Sequence, residues 1–183
     1  CLVGSEMCIR DSVTTIAQQP NRHLAPLNRA KPRRQLRQAT QLWPLAGRLM
    51  IAERVWLCTL RLAAVRLDEP ALSNVWWSFS SDRPMAAQEE KALALWLNST
   101  LGLVSLASHR AETRGAWIDF KKPVLDALPV PQYEPQALDV LAAAYDQLCE
   151  QPMLALPEMA TDPVRAAIDA AVAGASNLPD FSM

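Results

Sequence analysis

The residues with the richest chemistry in this chain gather in one stretch, where His109-Arg110 is followed by Glu112, Arg114, Trp117, Lys121 and Lys122. Cations and an aromatic ring between a helix and a strand are a mixture suited to gripping a polyanion from a rigid scaffold. The rival reading is structural: Glu112 pairs with Arg114, and the two lysines are ordinary solvated surface. On these residues alone the rival stands first. A second basic cluster, Arg29-Ala30-Lys31-Pro32-Arg33-Arg34 with Arg37, reads equally as a phosphate-tracking segment or a solvated linker. Asn98-Ser99-Thr100 matches a glycosylation acceptor, but it lies inside an apolar helical run with no secretory signal ahead of it, so that reading is set aside. The 6 Trp, Trp76-Trp77 among them, are more often core anchors than stacking platforms for bases.

Other chemistries lack their residues. The 5 glycines fall at positions 4, 47, 102, 115 and 174, with no glycine-rich turn where backbone would approach a phosphate. Only 2 histidines are present, His23 and His109, and no nucleophile elbow or zinc-protease motif occurs. An acid/base group built from His109, Glu112 and Asp119 has no spacing precedent, and Asp119 with Asp126 is not a convincing carboxylate pair. The 4 cysteines, Cys1, Cys8, Cys58 and Cys149, form no metal-binding pair. The chain is expected to have no catalytic residues of its own and to sit in the cytoplasm with reduced thiols.

The charge is distributed along the chain in a way that its total hides. The formal net charge is −1 over 183 residues. Residues 1–66 nonetheless hold 11 Lys/Arg against 3 Asp/Glu, whereas residues 123–183 hold 1 against 9. A basic front and an acidic tail suggest a polyanion-facing part and a solvated part. With 50% hydrophobic residues, the chain is long enough to bury a core and is not disordered or low-complexity. Glu6-Met7-Cys8-Ile9-Arg10-Asp11-Ser12 resembles a translated transposase mosaic-end sequencing adapter. Residues 1–12 are therefore expected to be artefact, with the natural protein extending upstream.

The elements that must position these residues follow from periodicity. Residues 13–47 read as a basic linker or inter-domain segment, with a short helix near 35–40. Residues 48–79 read as two or three short strands broken at Asp68-Glu69-Pro70, with the best alternation in 59–67. Ser81-Asp82-Arg83-Pro84 reads as a turn and helix start. Leu93, Trp96, Leu97, Leu101 and Val104 then recur at helical steps, which predicts one long buried helix over 85–108, interrupted if anywhere at Gly102. Its uncharged run over 92–108 is too short and too polar for a membrane span. A strand over 116–120 and a brief helix from Lys121 follow. Helices over 136–149 and from Asp162-Pro163 to about residue 173 close the chain. The predicted class is α+β: a small mixed sheet covered by the long apolar helix, forming a domain over 48–131, with an acidic helical C-terminal extension over 132–183.

Three stretches carry a family resemblance: Ala94-Leu95-Trp96-Leu97-Asn98-Ser99-Thr100-Leu101-Gly102-Leu103, His109-Arg110-Ala111-Glu112-Thr113-Arg114-Gly115-Ala116-Trp117, and Lys121-Lys122-Pro123-Val124-Leu125-Asp126-Ala127-Leu128-Pro129-Val130-Pro131. Together they resemble the C-terminal target-recognition region of bacterial N6-adenine DNA methyltransferases of restriction-modification and phage-defence systems. In that family a helix ends in a Leu-Asn-Ser turn, and a strand and a short helix lead to a Leu-Pro-Val-Pro edge. Ile51-Ala52-Glu53-Arg54, Thr59-Leu60-Arg61-Leu62-Ala63-Ala64-Val65, Tyr145-Asp146-Gln147-Leu148 and Arg165-Ala166-Ala167-Ile168-Asp169-Ala170-Ala171-Val172 are similar as well. The likeness spans roughly 45–178. It implies a module that reads or positions double-stranded DNA for a catalytic domain upstream in the same protein. The family's cofactor motif and its Asn/Asp-Pro-Pro-Tyr/Phe motif are absent here, so S-adenosylmethionine and methyl transfer belong to that parent rather than to these residues. The implied contacts are Arg110, Arg114, Lys121 and Lys122 to phosphates, Asn98 or Ser99 at the turn, and Trp117. The alternative is a structural or protein-interaction module without nucleic acid, favoured if the basic loop folds against the acidic C-terminal helices.

Overall fold

A computed structural model describes residues 43–71, 73, 75–79, 81, 83–111 and 117–176. The adapter-like start and the basic run, both within residues 1–42, lie outside the described residues, as do Glu112 and Arg114. After a 3-10 turn at Trp43–Leu45 come strands β1 (Gly47–Ala52), β2 (Arg54–Trp56), β3 (Ala64–Ala71) and β4 (Trp76–Ser78). Helices α1 (Ala87–Asn98) and α2 (Thr100–Ser108) precede β5 (Trp117–Asp119), α3 (Lys122–Asp126), α4 (Pro135–Leu148), a 3-10 turn (Leu156–Thr161) and α5 (Pro163–Ala175).

The class is α+β, and the strands divide differently from the single mixed sheet expected. They form a three-stranded sheet ordered β3-β1-β4 and a separate two-stranded ribbon β2-β5, all antiparallel. Apolar character explains the centre: Leu49, Met50, Ile51 and Ala52 of β1 are all buried, as a strand covered on both faces requires. Asp68-Glu69-Pro70 does not break the strand run. Gly47 faces Ala71 and Leu49 faces Arg66, so β3 advances five residues where β1 advances two. The surplus is an exposed bulge, where proline's missing donor leaves no ladder bond unmade.

The predicted long helix is two helices, and the break falls at Ser99 rather than at Gly102. Ser99 is extended (φ −71°, ψ 161°), and its side chain serves both helix ends. Ser99 Oγ donates to the Trp96 carbonyl at 2.7 Å and accepts from Gly102 N at 3.1 Å, capping α2 in the manner that serines favour. Gly102 has a separate role in the close approach of the two helices. A Cβ at Gly102 would stand 1.9 Å from the Trp96 carbonyl oxygen.

The segment expected to be an extension belongs to the same core. α4 and α5 both pack against α1 and against each other, and one buried cluster runs from Leu49 through Leu95, Leu141 and Ile168 to Val172. Asp162 caps α5 as expected, accepting from Val164 N at 3.0 Å and Arg165 N at 3.3 Å. At the other end of the helical layer, Glu89 Oε2 accepts from Ala86 N at 2.8 Å and secures the start of α1. Among the described residues no helix is long and apolar enough to cross a membrane.

Two glycine substitutions separate close packing from mere helix propensity. Gly102→Ala is expected to cost about 3 kcal/mol, the upper end for overpacking, because backbone rather than a movable side chain blocks the new methyl. Gly174→Ala, whose Cβ meets nothing within 4 Å, is expected to be neutral or to stabilise by up to about 1 kcal/mol. Urea unfolding midpoints check both, and equal midpoints for the two variants would contradict the packing account.

Candidate nucleic-acid interface

The chain leaves β1 at Glu53 and enters β2 without a loop, so the ribbon grows directly from the sheet's central strand. Glu53 N donates to the Val75 carbonyl at 3.0 Å, and the Glu53 carbonyl accepts from Phe120 N at 2.8 Å. A second tie comes from Trp77, whose Nε1 donates to the Phe120 carbonyl at 3.0 Å. The register sets Arg54 opposite Asp119, Val55 opposite Ile118 and Trp56 opposite Trp117. Alternation then decides the faces: Val55 and Ile118 are buried, whereas Arg54, Trp56 and Trp117 are exposed.

On the outer face the two indoles pack on each other, with ring centroids 4.9 Å apart and planes inclined at 44°. They nevertheless remain 44% (Trp56) and 42% (Trp117) exposed. The Arg54 guanidinium carbon lies 5.9 Å from the Trp117 ring centre, within cation–π range. Arg54 also grips Asp119 with both Nε, at 2.5 Å, and Nη2, at 3.1 Å. Lys121 Nζ reaches the same carboxylate at 3.6 Å. The hydrogen bonds and charge of Arg54, helped by Lys121, hold the Asp119 carboxyl below its ordinary pKa against the opposing effect of burial. Asp119 in turn raises that of Arg54.

Of the residues singled out in the sequence, the structure puts two at this ribbon, Trp117 and Lys121, and two more on the segments that flank it. Trp117 lies on it. Lys121 and Lys122 are exposed where β5 passes into α3, and exposed Arg110 precedes Ala111, which bridges to Asp119. Arg110 Nη1 donates to the Ala107 carbonyl at 2.8 Å, closing the end of α2. His109 Nδ1 lies 2.9 Å from the Ser105 carbonyl and 3.0 Å from Ser108 Oγ, so its ring belongs to the helix terminus.

Asn98 and Ser99 do not join the surface. Both are 0% exposed, and their polar atoms are engaged inside the protein. Asn98 Oδ1 accepts from Ala63 N at 2.8 Å and Ala64 N at 3.3 Å, while its Nδ2 donates to the Ala64 and Ala94 carbonyls, each at 2.8 Å. An amide with both donors and both lone pairs satisfied has nothing left for a ligand. Arg54 and Trp56 join the surface without having stood out in the sequence. Their one signal is the exposed–buried–exposed alternation of Arg54-Val55-Trp56, three residues long and hidden in a run of apolar neighbours.

Among the described residues no three His, Cys, Asp or Glu side chains are placed to hold a metal ion. Comparison with protein-family models, curated proteins and solved structures gives no match to this chain.

The ion pair makes the ribbon sensitive to acid. Because the folded pKa of Asp119 is lowered, its contribution is fully present above the unfolded value, about 3.9, and is lost as pH falls through the lowered folded value. A carboxyl titration followed by NMR should place Asp119 below the ordinary aspartate range. Asp119→Asn should remove that part of the stability loss seen between neutral and acid pH. A titration at the ordinary value would show that Arg54 does not hold it in solution.

Proposed function

We propose that this chain is a DNA-positioning module of the target-recognition type, serving a site-specific adenine methyltransferase whose cofactor and catalysis are supplied by another domain. The observation that carries this reading is the exposed ribbon face, where Arg54 and two half-exposed indoles are joined by Lys121 at Asp119, with exposed Lys122 next along the chain and exposed Arg110 just before the bridge at Ala111. The described carboxylates of these segments are Glu53, Asp119 and Asp126, against the four cations Arg54, Arg110, Lys121 and Lys122. The resemblance over 45–178 supports the same reading, and it locates the work in the cytoplasm, where such enzymes meet their DNA.

The cations hold phosphates and set register, which positions the duplex without reading bases. The ion pairs of Lys121 on the ribbon and of Asp146 on the acidic helices are local ones, which supports this reading over a neutralised docking face. Lys121 meets Asp119 of its own ribbon, whereas Asp146 of α4 is met by Lys91 of α1 at 2.6 Å. The protein-interaction alternative draws on α2, whose Leu101 and Val104 are exposed.

Arg114→Ala, Lys121→Ala and Lys122→Ala combined should weaken duplex binding about equally across sequences. The slope of log affinity against log salt should fall by about 1 for each phosphate that is no longer neutralised. Fluorescence anisotropy with a labelled duplex over a salt series measures both. An unchanged affinity and slope in the triple variant would remove these residues from the interface.

A further inference from the structure

The cations account for a polyanion; the indoles pack on each other and beside Arg54, and they remain exposed beyond what that packing covers. Val55 and Ile118 already peg the ribbon to the core, and the Arg54–Asp119 pair and the ladder bonds fix its register. Two adjoining indoles nevertheless keep more than two-fifths of their surface in water, with Leu57 exposed beside them. A duplex keeps its base faces inside its own stack, so intact DNA has no partner to offer an exposed indole. An unpaired base does, because every base has a π-face and aromatic platforms accept all of them. Cations on the same ribbon distinguish this from an apolar protein groove: the fitting occupant carries both rings and phosphates.

We propose that Trp56 and Trp117 form a stacking platform for unpaired bases of a DNA strand whose phosphates pass Lys121 and Lys122. This deepens the DNA reading above and rests on it. The platform gives the module a preference for locally opened DNA, the state a strand must reach before any base can be handled outside the helix. No bond is made or broken in this step. The 44° inclination of the rings suits it, since the pair does not close into a flat stack that would hide both faces.

The test uses the full chain and three labelled DNAs of one sequence: a duplex, the duplex with a central bubble of unpaired thymines, and the same bubble with abasic sugar-phosphates. The thymine bubble should bind about ten-fold tighter than the abasic bubble, as loss of one stacked base implies, and should quench tryptophan fluorescence. Trp56→Ala and Trp117→Ala should bring the ratio of thymine to abasic affinity to about one, while Trp56→Phe retains most of it. The comparison of bubbles in the unaltered protein decides the matter even if an alanine variant loosens the ribbon. Equal affinity for the two bubbles, or a preference that survives both alanine variants, overturns the platform and leaves duplex binding standing. Absence of binding to all three DNAs overturns the DNA reading itself, and the platform with it.

Discussion

One side-chain amide holds this fold together. Asn98, at the last turn of α1, uses its carboxamide oxygen and one N–H to tie the helix to the backbone at the start of β3, and its other N–H returns to the Ala94 carbonyl of its own helix. Each such bond adds about 1 kcal/mol net, but a buried partner left unpaired costs about 1–3 kcal/mol. The site therefore tolerates no substitute that keeps only half of the bonds. The neighbouring residues extend the junction. Thr100 gives its N–H and hydroxyl to Asp169 of α5, at 2.7 and 2.6 Å, which supplies the start of α2 with an acceptor from another helix. Arg165 of α5, 1% exposed, donates to the Asn98 carbonyl at 2.6 Å and to the Arg61 carbonyl at 3.0 Å.

That arginine shows how tightly the junction is drawn. Burial lowers the pKa of Arg165, while the charges of Asp162 and Asp169 oppose the shift, and its Nε has no hydrogen-bond partner among the described residues. A guanidinium held this way is costly to bury. It persists because two carbonyls freed from regular structure, one at the end of α1 and one in the loop before β3, need donors in the same place. The loop is fixed from its other side by Arg61, which donates to the Met153 carbonyl at 3.1 Å, and by Leu156 N, which reaches the Leu60 carbonyl at 2.7 Å. Sheet, helix pair and C-terminal helices thus become one body, and the two long helices of the acidic tail are part of it.

Legibility in the sequence follows the range of the interactions. Helices α4 and α5 can be read almost to their ends, because their apolar spacing and the Asp162-Pro163 start are local signals. The break at Ser99 is hidden behind Gly102, because the sequence shows a glycine but not the oxygen of Trp96 against which it packs. Asn98 stands out as part of a motif that implies a surface contact. Its partners in the sheet lie 34 and 35 residues away, and no pattern along the chain reports a long-range hydrogen bond. The ribbon is the least legible part. Strand β5 is recognisable, but its pairing with three residues of β2 depends on how the chain bends at Glu53, so nothing local to Arg54 and Trp56 hints that they meet Trp117 and Asp119.

The ribbon's shortness is what ties its surface chemistry to the junction. Two strands of three residues each are not stable alone, so the outward face of Arg54, Trp56 and Trp117 is only as rigid as its attachments. Those attachments run inward: Val55 and Ile118 enter the core, Glu53 joins the ribbon to β1 and, through Val75, to the start of β4, and Trp77 grips Phe120. Behind β1 stands β3, held to α1 by Asn98. A surface carried on a short ribbon can keep its geometry only when the sheet beneath it cannot slide. Charge on the outer face would otherwise work against the fold, since Arg54 and Lys121 repel each other. Asp119, bound by Arg54 and Lys121 together, offsets that repulsion while leaving the face positive, so one carboxylate reconciles the stability of the ribbon with the surface it presents.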